Sequence, residues 1–313
     1  MRYKAFGNTG LQVSAIGAGS WGMGGKGWGG VDRSSSISAI HAMVDQGVNL
    51  IDTAPGYGRG MSEEIVGEAV AGMRDKLILT TKCGMNIDKP GFAVKKANWD
   101  EILRGVDGSL KRMGLDYIDV LLLHWPDENT PLRETMEAMD HLKKAGKVQF
   151  IGVSNLSVEQ MKESQSYVDV AVTQLPYSMV DRFAQAKLQW TSEKGIANMT
   201  YGSLGAGILS GKIREYKDYG EEDMRGRFYP FFREPQFSKV MLLVKALDVI
   251  AQDHGVPVAQ VALNWSVQKP FVDTALVGVR TVEHAEENCR AMDWELSDNE
   301  IATIDTKINE LLG

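Results

Sequence analysis

Four polar residues of different chemistry each follow a short apolar run. Asp52 and Tyr57 follow residues 47–51, Lys82 follows 77–81, and His124 follows 118–123. A tyrosine hydroxyl has an ordinary pKa of about 10, and a neighbouring ammonium group lowers it by favouring the phenolate. Lys82, held by an ion pair with Asp52, can tune Tyr57 in this way while His124 orients a substrate oxygen. Such a set donates a proton to a carbonyl oxygen while hydride reaches the carbon.

None of these four residues is a strong nucleophile with its own base, so proton transfer is favoured over covalent catalysis. Lys82 follows Asp52 by 30 residues, and His124 follows Lys82 by 42, which is about the length of one strand-helix unit. Strands joined by right-handed crossovers run parallel, so residues that end them lie on the same side of the sheet. In α/β barrels that side carries the active site. The spacing therefore predicts an enzyme.

Strand-like and helix-like segments alternate along the chain. The apolar runs lie near 15–18, 48–52, 77–81, 118–123, 148–153, 170–174, 198–202 and 273–277. Amphipathic helical patterns separate most of them, among them 35–46, 62–72, 99–113 and 132–144. A hairpin of residues 3–6 and 11–14 precedes the first run. This alternation predicts an α/β fold, a closed (β/α)8 TIM barrel with an N-terminal β-hairpin, as a single domain over residues 1–313.

The composition is that of an ordinary globular protein. The 313 residues carry a net charge of −7, which argues against nucleic-acid binding. No apolar run approaches the roughly 18 residues of a membrane-spanning helix, and the N-terminus lacks an apolar leader segment. Cys83 and Cys289 lack metal-ligand spacing and are expected to be free thiols. The sequence predicts a cytoplasmic protein with no metal, nucleic-acid or membrane partner, and it leaves the oligomeric state open.

Residues 17–22 match the glycine pattern GxGxxG of dinucleotide-binding folds. That pattern is convincing only where a helix opens on the same glycines. Here the chain continues through the glycine-rich residues 23–30, which cannot form the first turns of a helix. The first helical pattern begins only near 32–35. We therefore interpret the segment as a loop at the barrel mouth, in which Trp21 or Trp28 faces a ligand.

Residues 212–237 form a long segment without a clear period, in which aromatic residues alternate with arginines. Long irregular loops in compact domains are usually functional or disordered, and the aromatic content favours an ordered lid or substrate wall. Together with the glycine-tryptophan loop and residues 84–98, this segment is expected to set the substrate. Its arginines indicate a polar or anionic carbonyl compound.

Ordered motifs occur at residues 49–58, 62–67, 122–127, 146–155 and 172–177. They resemble those of the aldo-keto reductase family, in the bacterial branch that is similar to potassium-channel beta subunits. The likeness runs from about residue 3 to residue 305. It implies a (β/α)8 barrel that binds an extended NADPH and reduces carbonyl groups reversibly. It also implies that Tyr57 is the general acid, that Lys82 and Asp52 tune it, and that His124 orients the carbonyl.

The resemblance also implies the positions that bind NADPH/NADP+. Ser154 and Asn155 correspond to residues that bind the nicotinamide carboxamide, with Gln174 beside them, and Tyr201 to one that stacks on the ring. A second group covers the pyrophosphate, where absent side chains let backbone donors approach phosphate. A third binds the adenosine end, where the Arg280 guanidinium suits a 2'-phosphate. The full predicted set is Trp21, Ser154, Asn155, Gln174, Tyr201, Gly202, Ser203, Leu204, Gly205, Gly207, Gly278, Val279, Arg280, His284, Glu287 and Asn288.

Several alternatives stay open at this point. The leading hypothesis is an NADPH-dependent reductase of small aldehydes, ketones or sugars. A second is an NADP(H)-binding redox sensor or regulatory protein with weak turnover, and a third is a metal-dependent sugar isomerase or lyase on the same barrel. The missing carboxylate-histidine cluster disfavours the third. A structural alternative for Asn155 is that it only caps the helix that begins at Ser157.

Overall fold

The computed structural model describes residues 1–25, 30, 32–88, 93–220 and 222–313. Eight parallel strands close into a barrel, in the order β10, β11, β12, β3, β4, β5, β8, β9. Their bounds are β3 Ile16–Gly19, β4 Leu50–Asp52, β5 Ile78–Cys83, β8 Ile118–Leu123, β9 Val148–Ser154, β10 Val170–Pro176, β11 Ala197–Tyr201 and β12 Thr274–Gly278. The (β/α)8 barrel predicted from the alternation of apolar runs is confirmed.

Helices connect the barrel strands and pack around them. They are α1 Arg33–Asp45, α2 Met61–Ala69, α3 Trp99–Met113, α4 Leu132–Lys144, α5 Val158–Gln165, α6 Gln185–Glu193, α7 Met224–Phe228, α8 Gln236–His254, α9 Val258–Val267, α10 Val282–Arg290 and α11 Asp298–Leu312. Asp32 caps α1, because its side chain accepts a hydrogen bond from the Ser35 amide. Among the helices of the described residues, none is both long enough and apolar enough to cross a membrane.

The barrel interior is filled by alternate residues of the strands. Side chains of a strand point to opposite faces in turn, so residues two apart share a face. One compact cluster combines inward residues of six barrel strands with two residues of the N-terminal hairpin: Phe6, Val13, Leu50, Ile78, Val120, Leu122, Val172, Ala197, Met199 and Leu276. The other faces of the strands pack against the helices in two larger clusters. The interior of the barrel is therefore a packed core.

An N-terminal hairpin closes the end of the barrel opposite the strands' carboxyl termini. Strands β1 (Tyr3–Ala5) and β2 (Gln12–Ser14) pair antiparallel, as the sequence predicted. Phe6 is fully buried against the inward residues of the barrel. The Asn8 amide donates to the Gly195 carbonyl at 2.8 Å, which fixes the hairpin to the segment before β11. We call this hairpin the floor of the barrel.

Two segments differ from their prediction or extend it. Residues 84–98 contain a small hairpin of β6 (Met85–Asn86) and β7 (Val94–Lys95), with residues 89–92 outside the described part. Residues 212–237 were predicted to be irregular, yet they contain the short helix α7 and the start of α8. The Asp223 side chain caps α7 by accepting a hydrogen bond from the Arg225 amide. An aspartate before a helix is a sequence signal for a helix start, but it stands among the aromatic residues that made the segment look irregular. Phe231 and Phe232 are buried there and pack in the larger hydrophobic cluster, which anchors the end of the segment to the core.

Candidate active site

The inward faces of three neighbouring strands carry the predicted catalytic residues to one rim. Asp52 ends β4 two residues after the inward Leu50, and Lys82 lies four residues after the inward Ile78 on β5. His124 follows the inward Leu122 of β8 in the same way. Because β4, β5 and β8 are hydrogen-bonded neighbours, these side chains converge at the carboxyl end of the barrel.

Asp52 and Lys82 form a buried ion pair. The Lys82 Nζ donates to both carboxylate oxygens of Asp52, at 2.9 and 2.8 Å, and to the Thr53 carbonyl at 2.9 Å. The carboxylate also accepts from the Thr80 hydroxyl at 2.7 Å and from the Gln174 amide at 2.8 Å. Asp52 and Lys82 are only 3% and 1% exposed, so each charge depends on these partners for its compensation.

Tyr57 lies above this pair, in a 3-10 helix of residues Tyr57–Gly60 that follows β4. Its ring meets the His124 ring edge-on, with centroids 5.9 Å apart, and Lys82 Nζ lies 4.8 Å from the Tyr57 centroid. Gly58 of this turn lies directly against Gly24 of the Trp21 loop, and a Cβ on Gly24 would lie only 2.5 Å from the Gly58 nitrogen. The loop of Trp21 and the loop of Tyr57 therefore pack backbone against backbone. Trp28, the other candidate tryptophan, lies outside the described residues.

The pKa of Tyr57 shifts opposite to the sequence-based expectation. Burial, first, and the charge of Asp52, second, raise the Tyr57 pKa well above its usual value. Burial and the Lys82 charge together lower the pKa of His124 well below its usual value. Burial lowers the pKa of Lys82 against the opposing attraction of Asp52. At neutral pH the site thus presents a protonated phenol and a neutral imidazole.

Four of the predicted cofactor residues form one hydrogen-bonded group at the ends of β9, β10 and β11. The Tyr201 hydroxyl donates to Asn155 Oδ1 at 3.0 Å, and the Asn155 amide donates to the His124 carbonyl at 3.0 Å. The Ser154 hydroxyl donates to the Gln174 carbonyl at 2.9 Å. The alternative role of Asn155 as a helix cap is wrong, because Ser157 caps α5 with a complete capping box.

Asn155 adopts a backbone conformation that is unusual for a residue other than glycine, with φ of 62°. Such conformations concentrate at functional sites, where the surrounding structure must hold them. Its side chain is held by His124, Ser154 and Tyr201 at once. Gln174 also contacts the catalytic pair, because its side-chain amide donates to the Asp52 carboxylate. It therefore joins the predicted cofactor residues to Asp52 and Lys82.

Apart from Trp21, which follows β3, the remaining cofactor candidates lie on two further segments at the same rim. After β11, Gly202, Ser203 and Leu204 lead into a 3-10 helix that contains Gly205 and Gly207, and the Ser203 hydroxyl donates to the Leu276 carbonyl. Gly278 ends β12, and Val279 and Arg280 follow it before α10, which carries His284, Glu287 and Asn288. His284 is exposed, whereas Val279 and Asn288 are buried. The Lys212 amine pairs with the Glu287 carboxylate at 3.3 Å and links the two segments.

These segments fit an extended dinucleotide. The space beside Gly202, Gly207 and Gly278 is open, since a Cβ on any of them would have no neighbour within 4 Å. Gly202 and Gly207 also have positive φ values of 74° and 97°, which favour glycine. The Arg280 guanidinium donates to the Gly30 carbonyl at 2.8 Å, beside the Trp21 loop. Glycine backbone with open space beside it and a guanidinium are groups that can bind phosphate.

Two residues, Thr80 and Asp181, did not emerge from sequence reasoning, whereas Tyr229 belongs to residues 212–237, which were predicted to form a lid or substrate wall. Thr80 shares the inward face of β5 with Lys82, so its spacing of two was a usable signal. Asp181 and Tyr229 come from loops after β10 and α7. Burial is the largest cause that raises the pKa of Tyr201, and electrostatic interactions with Tyr229 and Asp181 add to it. Tyr57 adds in the same way to the raised pKa of Tyr229. Within the described residues, no group of His, Cys, Asp and Glu side chains has the arrangement of a metal site.

Comparison with known proteins gives consistent similarities. Residues 15–309 match the sequence model of the Aldo/keto reductase family. The chain is 39% identical to the aldo-keto reductase YhdN of Bacillus subtilis (strain 168), over 100% of this chain and 95% of that protein. It is 31% identical to the NADH-specific methylglyoxal reductase of Escherichia coli (strain K12), over 100% and 99%. The solved aldo/keto reductase of Klebsiella pneumoniae in complex with NADP and acetate superposes with a TM-score of 0.75 at 29% identity, over 98% of this chain and 95% of that chain.

Proposed function

The chain belongs to the aldo-keto reductase family, and we propose that it uses NADP(H) to reduce the carbonyl of a small aldehyde, ketone or sugar to an alcohol. The observation that carries this proposal is the convergence of Tyr57, the Asp52–Lys82 pair and His124 on one rim. The relatives support carbonyl reduction as the reaction class, since one of them is a methylglyoxal reductase.

In this proposal the bound cofactor supplies hydride to the carbonyl carbon, and the protein's own residues manage the proton and the substrate. Tyr57 is protonated at neutral pH because burial raises its pKa, and it donates its proton to the developing alkoxide. His124 is neutral and donates a hydrogen bond to the carbonyl oxygen. Lys82 lies beside the Tyr57 ring and stabilises the phenolate that remains.

The preferred form of the nicotinamide cofactor is the finer part of this proposal. The E. coli relative is NADH-specific, whereas the Klebsiella structure contains NADP. Arg280 favours NADPH for this chain, because a guanidinium binds a 2'-phosphate in a charge-assisted, bidentate manner. Its hydrogen bond to the Gly30 carbonyl and its position beside Gly22 support this assignment.

Turnover assays with both cofactors test the proposed function. We expect the protein to consume NADPH steadily with propanal, methylglyoxal or glyceraldehyde, and to have a kcat/KM for NADPH roughly tenfold or more above that for NADH. Replacing Arg280 with alanine should remove most of this preference. Binding of NADPH, detected by quenching of tryptophan fluorescence, without turnover of any carbonyl would favour a redox-sensing protein instead.

The pKa directions at the site predict an unusual pH profile. Because Tyr57 stays protonated and His124 stays neutral, kcat/KM for reduction should be flat from about pH 6 to pH 9. The measurement is kcat/KM for one aldehyde across this range, with NADPH saturating and ionic strength constant. A fall centred near pH 6.5 that disappears in His124→Gln would show that the imidazole titrates, against this assignment.

A further inference from the structure

The loop that carries Tyr57 is rich in glycine. Residues 53–60 join β4 to α2 and contain three glycines. Directly after the tyrosine, Gly58, Arg59 and Gly60 have φ values of 62°, 58° and 95°, in the left-handed region that is unfavourable for a residue with a side chain. Such conformations persist only where the surrounding structure holds them. The position of the Tyr57 phenol therefore depends on contacts made from outside the turn.

Two buried hydroxyl groups close the base of this loop. Thr53 directly follows β4, Ser62 lies in the first turn of α2, and their hydroxyl oxygens are 3.0 Å apart. The two residues are 1% and 0% exposed, so water does not compete for this hydrogen bond. The Ser62 hydroxyl also lies 2.6 Å from the hydroxyl of Ser20, which directly precedes Trp21. Ser62 therefore joins both ends of the Tyr57 loop to the start of the Trp21 loop.

The protons of these hydroxyls can be assigned in one direction. The Ser20 hydroxyl donates to the Asp52 carbonyl at 2.8 Å, so it accepts from Ser62. Ser62 has one proton, which it gives to Ser20, so it accepts from Thr53. Each hydroxyl then donates once, and the chain ends on the backbone of the residue that pairs with Lys82. Loss of the Ser62 hydroxyl leaves the buried Thr53 hydroxyl without this acceptor, which is unfavourable.

The first turn of α2, which carries Ser62, is itself held in place. The next residue, Glu63, is fully buried. Its carboxylate accepts from the Thr81 hydroxyl of β5 at 2.7 Å and from Arg112 Nε of α3 at 2.7 Å. These contacts fix the start of α2 against a barrel strand and a neighbouring helix. Ser62 is thus a fixed point on which the Tyr57 loop is closed.

From this arrangement we infer that Ser62 is a positioning residue for the reaction: its hydroxyl closes the loop that presents Tyr57 and so aligns the phenol with the substrate carbonyl. This inference rests on the proposed reductase function. Ser62 is fully buried at the base of the loop, so it acts through Tyr57 and not on the substrate itself. Because a misplacement of a reacting group by about 1 Å can cost roughly 10²-fold in rate, its loss should appear in kcat.

The first test measures kcat per folded protein with NADPH and the aldehyde that the wild type reduces fastest. Ser62→Ala should lower kcat roughly tenfold to a hundredfold. Thr53→Val removes the other hydroxyl of the closure and should lower kcat in the same range. Ser62→Cys keeps a weak donor and should recover part of the loss.

Two controls accompany this measurement. NADPH affinity, followed by quenching of tryptophan fluorescence, should change less than about threefold in Ser62→Ala, because Ser20 keeps its own amide and hydroxyl contacts to the Asp52 carbonyl. Ser164→Ala removes an equally buried serine hydroxyl, which donates to the Gln160 carbonyl within α5, and should keep the wild-type kcat.

A double-mutant cycle with Tyr57→Phe separates positioning from a merely structural role. In the Tyr57→Phe background, Ser62→Ala should leave the residual kcat unchanged within about twofold, because no phenol remains to be aligned. General damage to the site would instead lower the residual kcat by the same factor as in the wild-type background.

Each outcome decides one of the two proposals. Additive losses in the cycle, or wild-type kcat in both Ser62→Ala and Thr53→Val, overturn the positioning role while the reductase function stands. A loss of NADPH affinity as large as the loss of kcat overturns it as well. If Ser62→Ala does not fold, Thr53→Val and its own cycle with Tyr57→Phe decide by the same criteria. A wild-type protein that consumes no NADPH with any aldehyde overturns the proposed function, and the inference with it.

Discussion

Tyr57→Phe is expected to lower the kcat of carbonyl reduction by roughly 10²–10⁴-fold, the contribution typical of a general acid. Phenylalanine keeps the ring, so the edge-on contact with His124 and the approach of Lys82 should persist. Only the proton donor is removed. Affinity for NADPH, measured by quenching of tryptophan fluorescence, should therefore change less than about twofold, because the lost hydroxyl contributes proton transfer to the substrate rather than cofactor contacts.

The matched control is Tyr167→Phe, which removes a phenolic hydroxyl from an exposed residue after α5. It should keep wild-type kcat and KM. Wild-type rates in Tyr57→Phe would assign the general acid to another residue, and Tyr201 and Tyr229 are then the phenols to replace next. A Tyr57→Phe protein that also loses NADPH affinity would show that the hydroxyl contributes to cofactor binding.

Lys82→Met is expected to abolish turnover and to destabilise the fold. In this variant the Asp52 carboxylate stays buried but loses the Lys82 amine. Of the side chains that donate to it in the described structure, only Thr80 and Gln174 remain. Breaking a buried ion pair by removing one partner costs about 3–5 kcal/mol, because the remaining charge is uncompensated. Chemical denaturation followed by circular dichroism should show this loss in the free energy of unfolding.

The double variant Asp52→Asn with Lys82→Met separates stability from catalysis. With both charges removed, the free energy of unfolding should recover by at least half, since a neutral amide still accepts from Thr80. Turnover should not recover. The exposed Lys307→Met, which breaks the surface pair with Glu310, should leave both quantities unchanged. A Lys82→Met protein as stable as the wild type would show that the buried ion pair does not stabilise the fold.

The placement of Asp52, Lys82 and His124 could be predicted from sequence because it depends on local rules. Each residue follows an apolar run, and the two-residue alternation of a strand assigns it to the face of its inward neighbours Leu50, Ile78 or Leu122. Parallel connections then bring the strand ends together. The same rule also predicts that Thr80 faces inward, because it lies two residues before Lys82 on β5.

The approach of Asp181 and Tyr229 to Tyr201 could not be predicted in this way. Their loops follow different elements, and their position depends on how Phe231 and Phe232 pack and on how Arg182 is held by Asn309. The direction of the Tyr57 pKa shift could not be predicted from the neighbouring amine alone, because the burial of the phenol and the charge of Asp52 raise this pKa. Desolvation is a property of the assembled site, so no short motif reports it.

The floor and the packed core behind it fill the barrel beneath the site, with Phe6 fully buried among the inward residues. Among the described residues, a molecule therefore reaches Tyr57 and leaves it from the side of the rim. Incoming aldehyde and outgoing alcohol then share one path, and each must wait for the other to clear it.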